Sequence, residues 1–129
     1  MSSLRTYAAP LGRLLLAAIF IWAGIGKLTN PAGTAQYFAH ANIPIPDVMV
    51  WIVLIIELVG GILVLIGYQT RWAALVLAIF CVLTGVMVHL PVGDQANMTH
   101  LFKNLAMAGG FLYVFAFGAG VLSVDGPGK

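Results

Sequence analysis

Charge is what this sequence most lacks. Its 129 residues include six basic and four acidic side chains, 8% of the chain, against 61% hydrophobic residues. A soluble domain carries about a quarter charged residues. This chain cannot cover a water-facing surface, and it reads as a membrane protein. A net charge of +2, scattered along the chain, excludes the basic patch that a nucleic-acid partner requires. Cys81 is the single cysteine, which excludes an intrachain disulfide and any two-thiol cycle within one chain. No zinc-type cysteine pair, no GxGxxG and no phosphate-binding loop occurs.

What is present is four apolar stretches: Tyr7 to Leu28, Asp47 to Tyr68, Arg71 to Leu90 and Leu101 to Leu122. Each is about 20 residues, roughly 30 Å as a helix, enough to cross a hydrocarbon core. Continuous apolar runs suit helices, which satisfy their own backbone, and the alternation of a membrane barrel is absent. The expected fold is an all-α membrane protein, a four-transmembrane-helix bundle forming one domain over residues 1–129. The first stretch is read as a retained span rather than a cleaved leader, because it is long, contains Arg13 and lacks a good cleavage site. Asn30-Pro31 supplies a cap and an N1 proline, so Pro31 to His40 is expected to form a short helix at the membrane interface. Gly67 is expected to close span two, and Thr70 to cap span three.

Orientation follows the basic residues. Arg5, Arg13, Arg71 and Lys129 fall on the side of both termini, and Lys27 and Lys103 on the other, which places the termini in the cytoplasm. Trp22 and Trp51 then lie near the outer interface and Trp72 near the inner one, as an aromatic belt.

Glu57 is the informative residue, because a carboxylate at mid-bilayer costs roughly 2.5–3.5 kcal/mol on insertion scales. Gly60 and Gly61, one turn on, allow close helix approach and turn the Glu57 face into the bundle. Stripes at helical spacing run through Arg13, Ala17, Phe20, Gly24 and Lys27, through Ala74, Ala78, Cys81 and Gly85, and through Lys103, Ala106, Gly110, Tyr113 and Phe117. Counting depth at about 1.5 Å per residue puts Glu57, Tyr113 and Cys81 in one layer with Arg13 in reach. The expectation is an intramembrane polar pocket of Arg13, Glu57 and Tyr113, with an Arg13–Glu57 pair. Lys27 is expected to be too distant for contact and to reach for the outer interface. Lys27, His89 and Lys103 form the expected outer mouth, where His89 and His100 can approach each other. A metal there would need Asp94 as a third ligand, and none is expected. Cys81 reads as inert packing. Two readings of Glu57 compete with the pocket: a pair that only fixes helix packing, and a protonated side chain with no role.

These pieces, in this order, resemble the DoxX family of small four-helix bacterial inner-membrane proteins. The resemblance is carried by Arg13, Gly24-x-Gly26-Lys27-Leu28 then Pro31, Pro44-x-Pro46, and Glu57 before Gly60-Gly61. It continues through Gly67-x-x-Thr70-Arg71, Lys103-Asn104-Leu105-Ala106, Gly109-Gly110 and Ser123-x-Asp125. It implies an inner-membrane location and a link to oxidoreductase assemblies that are quinone-, thiol- or sulfur-linked. More distant relatives look like assembly factors. The chain carries no flavin, haem or iron–sulfur motif, so it is read as a subunit that is not catalytic alone. A quinone is the cofactor to test, and a protein partner or a second copy is expected alongside the lipid. The alternative is a non-enzymatic assembly or stability factor for another membrane protein. A proton-coupled transporter ranks last, because no proline breaks the interiors of spans two to four.

Overall fold

A computed structural model describes residues 2–126; Lys129, counted above for orientation, lies outside them. They form five α-helices and, among the described residues, no strand. The first, α1, spans Ser2–Thr29 and starts earlier than the apolar run that marks it. Its buried face is the expected stripe of Arg13, Ala17, Phe20 and Gly24. The short α2, Pro31–His40, is capped as expected, with Asn30 Oδ1 accepting from the Gly33 N–H at 3.1 Å and proline opening the first turn.

Helix α3 spans Pro46–Ile66, with Asp47 in its first turn. It ends at Gly67, whose φ of +75° permits the left-handed cap. The Gly67 and Tyr68 N–H groups both donate to the Leu63 carbonyl. Helix α4, Thr70–Thr84, runs on through a π-helical segment, Gly85–His89. Thr70 does not cap it. The start of α4 is held instead by Asp125 from the C-terminal tail, whose carboxylate accepts from Gln69 N, Thr70 N and Thr70 Oγ1 at 2.9, 2.9 and 2.7 Å. A carboxylate beats a hydroxyl here because it can serve several donors at the positive end of the helix at once. Helix α5, Gln95–Phe117, begins under Asp94. It ends at Phe117 rather than Leu122, because Gly118 and Gly120 adopt φ of +83° and +94° and turn the chain back.

The bundle is two antiparallel pairs, α1 on α3 and α4 on α5, joined through the α3–α4 hairpin. In the first pair Gly24 lies against Leu58, and Gly61 against Ile21, Phe20 and Ala17. The second has Gly85 against Leu101 and Asn104. Phe20 meets Phe80 and Phe111 edge-on at the centre. Helix α2 lies on the first half of α3, where Ala35 and Phe38 pack with Val50 and Leu54 in a second apolar cluster.

Three helical stretches are long and apolar enough to cross a membrane: Ser3–Thr29, Pro46–Ile66 and Thr70–His89. Their outer faces expose large apolar side chains, among them Trp22, Ile55, Ile79 and Val82, which suits lipid and not water. Helix α5 is 23 residues long, but its first turns carry Gln95, Asn97, His100, Lys103 and Asn104.

Candidate functional site

All five helices contribute to one cavity of about 240 Å³. Phe20 and Lys27 come from α1, Tyr37 and Phe38 from α2, Glu57 from α3, Cys81 and Thr84 from α4, His89 from the π-helical segment, and Asn104 and Met107 from α5. At its heart Lys27 Nζ stands 2.9 Å from Glu57 Oε1. Glu57 is 6% exposed, and its Oε1 is shut off from solvent with no aligned hydrogen bond. The contact with Lys27 is a close ion pair.

The expected Arg13–Glu57 pair does not form. The helix register is the reason. With Gly24 against Leu58 and Gly61 against Ala17, the end of α1 meets the middle of α3. Lys27 thus arrives at Glu57, and Arg13 at Val64 and Leu65, about 10 Å further along α3 at 1.5 Å per residue. Counting depth from Lys27 and Asp47 as if both sat at one surface ignored α2, which occupies that level above the end of α1. Arg13 is buried and donates through Nη1 to the Val64 and Leu65 carbonyls at 3.2 and 2.8 Å, and through Nη2 to the Leu122 carbonyl.

Tyr113 is 71% exposed and stacks on Phe117, away from the cavity. Lys103 is exposed too. The buried face of α5 carries Leu101, Ala108 and Phe111, opposite the expected stripe. Hydrophobic period cannot set the phase of a helix that has apolar lipid on one side and an apolar core on the other. Of the expected outer mouth, Lys27 and His89 line the cavity and Lys103 does not. Glu57 and Cys81 both line the cavity.

His89 and His100 do approach, with ring centroids 5.1 Å apart. Among the described residues no three His, Cys, Asp or Glu side chains gather as a metal site would need. His89 is instead tied into a chain of amides. Its Nδ1 lies 2.9 Å from Asn97 Oδ1, and Asn97 Nδ2 donates to Asp94 Oδ1 at 2.8 Å. Asp94 Oδ1 also takes the Asn97 backbone N–H. These bonds hold the Asp94 carboxyl below the usual carboxylate range.

Two contributors, Thr84 and the π-helical segment, escaped sequence reasoning. Thr84 donates to the Phe80 and Cys81 carbonyls and accepts from Asn104 Nδ2. The adjoining π-helical segment, a feature often found at functional sites, carries His89 to the cavity. Asn97 and Asn104 fall with Asp94 and Lys103 among the polar residues that the sequence assigns to the outer rim.

A protein-family model described as DoxX matches residues 8–90. The chain belongs to the DoxX family. It is 36% identical over 125 residues to the inner membrane protein YqjF of Escherichia coli K12, covering 97% of this chain and 95% of the relative. It is 32% identical over 120 residues to the inner membrane protein YphA of the same organism, covering 89% and 86%. A putative oxidoreductase, CatD of Bacillus subtilis, is 32% identical over 85 residues, 66% of this chain and 62% of that protein. No solved structure matches. With its apolar helices, this DoxX chain is a multi-pass inner-membrane protein in contact with lipid.

Proposed function

We propose that this DoxX protein is a small four-span subunit of an inner-membrane oxidoreductase assembly, and that it holds the ring head group of a quinone-class molecule in the Lys27–Glu57 cavity. The observation that carries the reading is the buried ion pair inside a cavity that every helix lines. A pair that served packing alone would be enclosed by its neighbours, whereas this one borders open space. The residues fit the group. Phe20, Phe80 and Met107 offer apolar and aromatic walls, Glu57, His89 and Asn104 offer polar atoms, and about 240 Å³ takes one substituted ring. Quinone when bound supplies the electron-carrying chemistry; this chain binds and orients it. The name of the relative CatD points the same way.

The fourth span is α5. Asp125, beyond its C-terminal end, holds the start of α4, and Leu101, near its N-terminal end, meets Gly85 near the end of the α4 extension. Helix α5 therefore runs the length of a helix that is itself long and apolar enough to cross. Arg13 and Arg71 lie at the end of the bundle that also holds Asp125, which supports cytoplasmic termini.

The test is the quinone content of protein purified gently from its own membrane. Glu57→Gln is expected to lose bound quinone while keeping its helical content. Equal quinone in the folded variant would overturn the pocket. A second reading, an assembly factor for another membrane protein, is favoured by Gly12, Gly26 and Gly109, which face outward with nothing packed on them. It predicts that Gly109→Leu disturbs partner co-purification more than Glu57→Gln does.

A further inference from the structure

We infer that the cavity is built for a hydroxyl donor, and so takes the reduced, phenolic form of a ring head group in preference to its carbonyl form. The inference rests on the pocket reading above and adds which redox form is bound.

The argument is an inventory of donors and acceptors. Glu57 is the first acceptor: Lys27 Nζ holds its Oε1 at 2.9 Å, and the rest of the carboxylate borders the cavity. A carboxylate offers about four acceptor sites and one ammonium does not fill them, so a ligand hydroxyl finds a charged acceptor here. His89 is the second acceptor, and the chain leading to it decides this. Asp94 as a carboxylate only accepts, so Asn97 must turn Nδ2 to it and Oδ1 to His89. In the neutral imidazole Nδ1 of His89 then carries the proton, and Nε2 keeps a lone pair. Asn104 is the third. The Thr84 hydroxyl spends its hydrogen on the Phe80 and Cys81 carbonyls, so it receives Asn104 Nδ2 and leaves Asn104 Oδ1 as the free acceptor. Against these stand Lys27, whose charge is committed to Glu57, and the hydroxyl of the exposed Tyr37, which can donate or accept. The Lys27 side chain is 20% exposed, so water reaches its remaining N–H groups. The site thus presents Glu57, His89 and Asn104 as acceptors, while its cationic donor is already held. A quinone carbonyl meets lone pairs there, and a hydroquinone hydroxyl meets partners. Asn97 and Asp94 are positioning residues that act through His89.

The experiment compares a short-tailed benzoquinone with its hydroquinone, binding to the full chain in phospholipid nanodiscs without oxygen. The hydroquinone is expected to bind about tenfold more tightly, the scale of one hydrogen bond to a charged acceptor. Glu57→Gln is expected to weaken the binding of both forms, the hydroquinone more, and so to erase that preference. Asn97→Leu frees His89 to change tautomer and is expected to reduce the preference by raising quinone affinity. Equal or tighter quinone binding by the wild type would overturn the inference and leave the pocket standing. Binding of neither form would overturn the pocket reading and this one with it. Should Glu57→Gln fail to fold, the wild-type ratio and Asn97→Leu decide the matter.

Discussion

Removing the Arg13 guanidinium takes hydrogen bonds from the Val64, Leu65 and Leu122 carbonyls at once. A buried group left unsatisfied costs roughly 1–3 kcal/mol. Arg13→Met is thus expected to lower the thermal midpoint in detergent by about 5 °C or more. Quinone content per folded molecule should hold, since Arg13 is not among the residues lining the cavity. A loss of quinone without a loss of stability would return Arg13 to the site where its sequence position first put it. The Lys27–Glu57 pair behaves differently. Breaking a buried pair by removing one partner costs about 3 kcal/mol or more, while replacing both by apolar groups is often neutral. Lys27→Met is therefore expected to destabilise more than the Lys27→Met/Glu57→Leu double variant, as read by thermal unfolding. Additive losses would show that the two charges do not act as a pair. That Glu57 faces inward was legible from Gly60 and Gly61 beside it. Its partner was not, because the partner depends on helix register, and register is set by the fit of Gly24 under Leu58 and Gly61 against Ala17, contacts that no one-dimensional pattern encodes.

At the scale of elements, helix ends explain most of the polar residues. The last four carbonyls of α3 have no partners within the helix. Leu63 receives Gly67 and Tyr68, Val64 and Leu65 receive Arg13, and Ile66 receives the Val124 N–H of the tail. Arg71 serves the Phe115 carbonyl near the end of α5 in the same way. Gly67 is the hinge of this arrangement. A Cβ there would meet Ser123 and Arg13, in a conformation that costs an L-residue roughly 1–2 kcal/mol on its own. Gly67→Ala is therefore expected to destabilise the fold and to speed amide exchange at Thr70, whose N–H is held by the tail. Unchanged exchange at Thr70 would mean that the tail docks independently of this turn. At the other end, Asp94 caps α5. A carboxyl whose folded pKa is depressed stabilises the fold above its unfolded value and loses that contribution as pH falls through the folded one. The cap is thus expected to be constant from pH 8 to 5 and to fail only below about pH 4, as read by exchange of the Asn97 amide. Failure near neutrality would contradict the depressed value. The caps at Asn30 and Gly67 were legible because they are local. Asp125 over α4 was not, because the contact joins residues 55 apart.

For the whole molecule, the question is whether α5 crosses with the other three helices, and the chain's own contacts constrain the answer. Its tail is bonded to the α3–α4 turn through Asp125 and Val124, and its N-terminal half touches the far end of α4 through Asn104 and Thr84. If α4 with its extension spans the bilayer, the two ends of α5 lie on opposite sides. The polar residues that dilute its apolar character then fall in two groups. Gln95 and Asn97 sit at the outer rim with Asp94 and His100, and Asn104 faces the cavity rather than lipid. Phe102, Leu105, Leu112 and Phe117 remain exposed on its outer face, where a spanning helix needs them. Labelling separates the cases. In a Cys81→Ala background, single cysteines replacing Asn30, Gln95, Tyr68 and Val124 are treated with a membrane-impermeant maleimide on intact cells made permeable only at the outer membrane. Labelling of the first two and protection of the last two is the result expected of four spans with cytoplasmic termini. Labelling at both Gln95 and Val124 would mean that α5 does not cross. Because the tail is bonded to the α3–α4 turn, it would also mean that the contacts of Asp125 with Gln69 and Thr70 do not persist in the membrane.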